Sequence, residues 1–194
     1  MAFISWYTNM LIQKPFITKS VTSFITFGLG DIICQFLEKK SNPLKQFDYI
    51  RAIRQGSFGV IMTPYLHLQY NILMPKFFPL GNSYTNLIKL LVYDQTINAS
   101  VFIFVFFTYI DLLSGLNLKT SLNNTMCKFK STLIANWKVW PLVTIINFTL
   151  IPPPYRVFLA NIVGLFWNVY LSYIQNVKGH MLINDKENKE NKLV

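Results

Sequence analysis

The chain has 194 residues, 52% hydrophobic and only 13% charged, with 17 phenylalanines and a formal net charge of +10. That charged share is about half of what a soluble domain carries, and the mean hydropathy is positive, which together point away from a water-soluble domain and toward a polytopic membrane protein. The basic residues sit between apolar runs and form no patch on a polar domain, so they argue against a nucleic-acid partner and for a role in setting membrane orientation.

Residues 3–14 read as a short amphipathic helix at the membrane surface, with Ile4, Tyr7, Met10 and Leu11 on one side and Pro15 interrupting it. The start of the chain has no basic leader running into an apolar core and a small-residue cleavage site, so no secretory signal is expected. Its first acid is Asp31, an acid-poor start compatible with mitochondrial import. Residues 20–37 are the first spanning candidate. At 100° per residue, Ser20, Ser23, Asp31, Cys34, Gln35 and Glu38 fall on one face, flanked by Gly28 and Gly30. Residues 38–54 form a basic connection with a turn at Asn42-Pro43. The second span, 55–74, places Gly56, Gly59, Thr63, His67 and Tyr70 on one face, with Pro64 predicted to kink it. The third lies within 88–113, with Asp94 and Asn98 one turn apart near its start.

Residues 118–138 set Leu122, Met126, Phe129, Leu133 and Trp137 against Lys119, Asn123, Lys128 and Lys130, the pattern of an interfacial or loop helix. Residues 139–151 follow, short for a full crossing, and then a proline break at Pro152, Pro153 and Pro154 carrying Arg156. From Val157 to Val177 there are 21 uncharged residues, about 31 Å of helix, enough to cross a hydrocarbon core. Asn161, Asn168 and Gln175 recur every seven residues in it, with Gly164 and Ser172 between them. The expected organisation is one transmembrane helical domain over 1–177 and a polar, disordered tail over 178–194. If 139–155 crosses, 13 Lys and Arg lie on one side against 5 opposite, which leans toward an odd number of passes. Four spans plus a partial helix is the alternative.

Lipid cannot hydrogen-bond Asp, Asn, His or Gln, so such side chains turn toward each other or toward water, while glycines let helices approach closely. Two readings of the stripes follow. One is a hydrophilic pathway lined by Asp31, Gln35, Thr63, His67, Asp94, Asn98, Asn161 and Asn168. The other is a packed bundle held by interhelical hydrogen bonds. An intramembrane Asp is costly by several kcal/mol unless paired or wet, and Arg156, Arg54 and Arg51 are the cations within reach of the pattern. His67, near Pro64, is a lone histidine that is either hydrogen-bonded or a proton relay. Cys34 and Cys127 have no metal-like or redox-like neighbours and read as free thiols. No phosphate-cradling glycine loop, nucleophile elbow or His–Glu metal spacing is legible, so neither an enzyme nor a cofactor or metal site is expected.

These residues resemble the Mpv-seventeen family, which includes the twenty-two-kilodalton peroxisomal membrane protein and mitochondrial inner-membrane relatives. The resemblance runs over roughly residues 7–175. Its most specific part is Trp140-Pro141, Asn147-Phe148, Pro152, Tyr155-Arg156, Trp167-Asn168 and Tyr170-Leu171-Ser172. Gly28-Leu29-Gly30-Asp31-Ile32 with Gln35, then Asp48, Arg51, Arg54 and Gly56, then Pro64, His67 and Tyr70, then Asp94-Gln95, carry the rest. Thr144 departs from the family's usual Gln, and Gln69 from its usual aromatic. Thr144 and Asn147 join the candidate lining on this basis. The resemblance implies an all-α, multi-pass bundle of four to five membrane-embedded helices plus short amphipathic ones. It also implies a weakly selective pathway for small solutes in the mitochondrial inner membrane, with the peroxisomal membrane as alternative. The lipid bilayer and small solutes are the expected partners, and a homo-oligomer is left open. A non-conducting scaffold is the runner-up. A proton-coupled carrier using Asp31, His67 and Asp94 is the third reading.

Overall fold

The computed structural model describes residues 2–79, 84–150, 156–179 and 183, with the side chains of 2–5, 84, 147–149 and 156–158 excepted. The described residues are helical with no strand. Pro152, Pro153 and Pro154, the side chains of Asn147 and Arg156, and most of the tail lie outside them.

Helix α1 (Ala2–Gln13) ends where expected, but Pro15 opens α2 (Pro15–Ser41) and does not merely interrupt. Proline suits a first helical turn because its missing N–H would have no partner there anyway. The basic connection shrinks to 42–48, since α3 (Tyr49–Leu68) starts at once. The Asp48 side chain caps it by accepting from the Arg51 N–H at 2.9 Å. Pro64 lies inside α3 without ending it. A widened turn at Gln69–Leu73 then leads into α4 (Met74–Phe77). Helix α5 (Tyr84–Tyr93) continues through a second widened turn, Asp94–Asn98, into α6 (Ala99–Leu113).

Residues 118–138 are not a separate interfacial helix. They are the first part of α7 (Leu118–Thr149), 32 residues running unbroken through Pro141 and capped by Asn117, which accepts from the Thr120 N–H at 2.9 Å. Helix α8 (Arg156–Tyr173) ends in a third widened turn, Ile174–Lys178.

The long helices alternate in direction. Helix α2 packs along α3 and α8, α6 along α7, and α3 against α6. Cross-contacts fix the antiparallel order: Lys19 meets His67 and Asp31 meets Arg51, while Tyr109 meets Ser57 and Thr108 meets Thr125. Trp140 stacks edge-on against Trp167, and Gln175 reaches Asp111. Two glycines let α2 come this close. A Cβ at Gly30 would lie 2.6 Å from the Asn168 Cβ, and one at Gly59 would lie 2.7 Å from the Ser23 backbone.

Polarity is inverted relative to a water-soluble protein. Among the described residues, buried polar side chains outnumber buried apolar ones, while Ile25, Phe36, Ile61, Met126, Leu142 and Phe166 face outward. Helix α7 shows this most clearly. Its buried face is Ser121, Thr125, Lys128, Thr132 and Asn136, each at most 5% exposed, whereas Met126 and Trp137 are exposed. Lys128 therefore lies on the inner face, contrary to its expected outward position. A helix with lipid on its outer side keeps its apolar surface there and turns hydrogen-bonding groups inward. Among the described residues, two helices, Pro15–Ser41 and Thr85–Leu113, are long and apolar enough to cross a membrane. At the centre, Phe27, Phe58, Phe106, Phe107, Ile103, Ile110 and Leu171 form a tight, largely aromatic core, with Phe58 meeting Phe106 edge-to-face at 5.0 Å.

Candidate functional site

In an α-helix the Ala99 N–H would reach the Gln95 carbonyl. In the second widened turn it bonds the Asp94 carbonyl instead, and the Gln95 carbonyl accepts from the Trp137 indole at 2.8 Å. The Met74 N–H likewise bonds the Gln69 carbonyl in the first widened turn. Such bulges recur at functional sites because they re-aim side chains. Here the two turns face one another. The Tyr70 hydroxyl donates to Asp94 Oδ1 at 2.8 Å, and Asn98 Nδ2 donates to the same carboxylate oxygen at 2.8 Å and to the Tyr70 hydroxyl at 3.0 Å. Gln95 Nε2 reaches Asp94 Oδ2 at 3.1 Å, and Asn136 Nδ2 donates to Gln95 Oε1 at 2.8 Å. The Tyr93 hydroxyl donates to Gln69 Oε1 at 3.1 Å. Asn98 Oδ1 is buried with no partner.

This cluster borders a partly open cavity of about 790 Å³ lined by residues of α2 through α8. Of the candidate lining residues, Asp94, Asn98, Thr144, Asn161 and Asn168 are in its wall, joined by Gln95, Asn136 and Tyr70. The remaining wall is apolar and aromatic, including Phe27, Phe78, Phe102, Trp140 and Trp167. Gly164 faces open space there.

Asp31, Gln35, Thr63 and His67 lie elsewhere. Asp31, fully buried, accepts from Arg51 Nε at 2.7 Å, from Gln35 Nε2 at 2.7 Å and from the Ser172 hydroxyl. Arg51 also grips Glu38 with both terminal nitrogens at 3.0 and 2.6 Å, and Lys45 pairs with Glu38 from the loop. Of the three cations considered for Asp31, Arg51 is the one that holds it. Gln35 bonds the Asp48 carbonyl and accepts the Asp48 N–H, and so ties the loop to α2. Thr63 donates to the Gly59 carbonyl within its own helix. His67 Nδ1 lies 3.0 Å from Lys19 Nζ, with its ring against Phe16.

A second buried pair was not anticipated. Lys128 Nζ sits 3.4 Å from both Asp111 oxygens, donates to Gln175 Oε1 at 2.7 Å and lies over the Phe107 ring at 5.0 Å. Ser172 and Gln175 thus clamp the α2–α3 and α6–α7 hairpins to the end of α8. Both ion clusters are at one end of the bundle, and the cavity occupies the half remote from them. The helical spacing of Ser121, Thr125, Lys128, Thr132 and Asn136 was the signal for this inner face. Cys34 and Cys127 are free thiols, with Cys34 Sγ donating to Glu38 at 3.2 Å. No group of three or more His, Cys, Asp or Glu among the described residues is placed to hold a metal.

An inward-polar, outward-apolar helical bundle of this kind defines a helical membrane protein, whose surroundings are a lipid bilayer. A profile of the Mpv17 / PMP22 family matches residues 111–172, from the Asp of the second ion pair to the Ser of the first. The chain is 34% identical to Protein SYM1 of Gibberella zeae over 90% of its length and 98% of that protein's. It is 33% identical to PXMP2/4 family protein 2 of Dictyostelium discoideum, covering 95% of each chain. Peroxisomal membrane protein 2 of Bos taurus is 32% identical over 87% of each. No solved structure matches. The chain belongs to the Mpv17 / PMP22 family and is an organelle membrane protein.

Proposed function

We propose that the chain is a multi-pass, non-enzymatic pathway for small solutes, with the cavity as its solute-accessible compartment. The mitochondrial inner membrane is the favoured location and the peroxisomal membrane the alternative. The observation that supports this is the cavity itself. Its volume falls in the range of small-molecule sites, and five of the candidate lining residues, Asp94, Asn98, Thr144, Asn161 and Asn168, border it.

The pathway is gated. Between the cavity and the ion-paired end lie Phe58, Phe106, Ile110 and Leu171, none more than 2% exposed. Through-passage therefore needs that plug to part and the Ser172 and Gln175 clamps on α8 to release. With five crossings, the loop at 42–48, the α6–α7 turn and the end of α8 share a side. That side carries Lys39, Lys40, Lys45 and Lys119, and the positive-inside rule turns it toward the matrix or cytosol. The proton-carrier reading is weakened because Asp31, His67 and Asp94 have separate partners at separate places and form no chain. The scaffold reading draws on Asp31, Gln35 and Thr63, whose hydrogen bonds are all met by neighbouring protein groups.

The test is efflux of graded neutral solutes from liposomes holding the purified protein. Wild type is expected to release them. Gly164→Leu, which projects a side chain into the open cavity, is expected to slow release several-fold without lowering Tm. Absence of flux in a folded preparation, or full flux in Gly164→Leu, sinks the pathway and leaves the scaffold.

A further inference from the structure

On α8, Asn161, Gly164 and Asn168 follow at spacings of three and four, so they share one face, and all three are in the cavity wall. Asn168 is 6% exposed, yet its side-chain amide bonds no described group. The sealed polar atoms without partners among the described residues are Arg54 Nε, Gln55 Nε2 and Asn98 Oδ1. Neither polar atom of the Asn168 amide is one of them, so both keep accessible surface on the cavity side. The exposed Asn161 amide and the half-buried Thr144 hydroxyl on α7 also lack a described partner. Asn161 and Asn168 are about 10.5 Å apart along the helix, and at Gly164, between them, a Cβ would meet nothing within 4 Å. The antiparallel contact of Trp140 with Trp167, ring centroids 6.3 Å apart, carries Thr144 to the level of Gly164. A row of unpartnered neutral groups thus runs from a buried to an exposed end of the cavity, beside an aromatic pair.

We propose that this row binds small neutral polyols. Their hydroxyls pair with Asn168, Thr144 and Asn161, and their C–H faces lie on Trp140 and Trp167. A primary amide presents one acceptor oxygen and two N–H donors. A hydroxyl both donates and accepts, so a string of hydroxyls answers the whole row. Each alternative occupant fails one requirement. A carboxylate accepts from the amide nitrogens but has nothing to donate to their oxygens. It also shares the cavity with Asp94, the one charged side chain in its wall among the described residues, which no described cation pairs. An ammonium ion donates to the oxygens but leaves the N–H groups unanswered. A hydrocarbon strips water from the row and returns no hydrogen bond, which is costly. The proposal rests on the cavity being solute-accessible, as in the pathway above.

Saturation-transfer-difference NMR on the full chain in nanodiscs, with empty nanodiscs as the control, tests it. Sorbitol is compared with glycerol, too short to span the row, and with gluconate, which carries a carboxylate on the same chain length. Sorbitol is expected to bind saturably and about tenfold tighter than glycerol, as one or two added hydrogen bonds supply. Gluconate is expected to bind more weakly than sorbitol. Asn168→Leu is expected to weaken sorbitol about tenfold; with no protein hydrogen bond to lose, it is expected to melt no lower than wild type. Asn161→Leu is expected to bring sorbitol down to the affinity of glycerol. A sorbitol signal that does not saturate, gluconate as tight as sorbitol, or unchanged sorbitol affinity in folded Asn168→Leu overturns the proposal. Should Asn168→Leu fail to fold, Asn161→Leu decides: weakened sorbitol binding supports the site, and undiminished binding overturns it. Saturable sorbitol binding without solute flux upholds the site and overturns the pathway. Flux of neutral solutes without saturable sorbitol binding overturns the site alone.

Discussion

Arg51→Ala removes the centre of the ion cluster at the closed end. Arg51 holds Asp31 through Nε at 2.7 Å, Glu38 through two bonds at 3.0 and 2.6 Å, and the Ser172 hydroxyl at 3.2 Å. Its side chain is 10% exposed and those of Asp31 and Glu38 are 0% and 7%, so salt screens this cluster little. Truncation leaves one fully buried carboxylate without its cation and a second with Lys45 as its remaining cation. Breaking a buried pair by removing one partner costs about 3–5 kcal/mol. For a domain of this length that corresponds to a fall in Tm of roughly 6–20 °C, measured by scanning fluorimetry in a mild detergent.

The same logic gives a rescue. Removing the buried carboxylates together with the cation, as in Asp31→Leu/Glu38→Gln/Arg51→Met, is expected to restore at least half of the loss, because buried pairs gain little over well-packed apolar groups. If Arg51→Ala melts within about 2 °C of wild type, a shift of under ~1 kcal/mol, the cluster is not a stabilising clamp and the closed-end assignment fails with it.

Gly30→Ala forces a Cβ to within 2.6 Å of Asn168 and is expected to cost about 1–3 kcal/mol. Gly164→Ala has open space around it and is expected to leave Tm unchanged, so equal effects of the two in a thermal melt would refute the α2–α8 packing. Phe106→Ala empties part of the buried plug and is expected to cost about 3–5 kcal/mol and to raise solute leak in liposomes; destabilisation without leak would place the gate elsewhere. Ile25→Lys changes a residue 50% exposed on the outer face of α2. In lipid it is expected to cost about 2.5–3.5 kcal/mol of insertion free energy, whereas on a water-facing surface it would be nearly neutral. A membrane-insertion assay on that segment separates the two.

Much of the helical framework was legible in the chain. Uncharged apolar runs mark α2, α6 and α8, whereas the helix starts at Pro15, Asp48 and Asn117 emerged only from the structure. Polar residues at spacings of three, four and seven show which faces turn inward. The lining residues Asp94, Asn98, Asn161 and Asn168 were found from those spacings, and Thr144 from the family resemblance. Three features were not legible. The widened turns at 69–73, 94–98 and 174–178 carry no distinguishing residue pattern, since a single extra residue in a helical turn alters no local propensity. The inner face of α7 was misassigned at Lys128, because the lysine-bearing side of an amphipathic helix reads as outward only if the solvent is water. Asp111 had no partner legible along the chain, since Lys128 and Gln175 come to it from α7 and the turn after α8.

The sequence by itself determined the helical class, the family and the bilayer as surroundings, because burial of backbone polar groups in lipid leaves a long apolar chain few other structures. It also determined that each main helix has an inward polar face. What those faces do was decided only in three dimensions. Asp31 and Asp94 look alike along the chain: each is an acid in an apolar run with an amide nearby. Packing gives Asp31 an arginine 20 residues on and a serine 141 residues on, and makes it part of a closed end. It gives Asp94 a tyrosine, two amides and open space, and makes it part of a cavity wall. Helical periodicity specifies the direction of a side chain from its own axis, but the partner it meets depends on where the other helices lie.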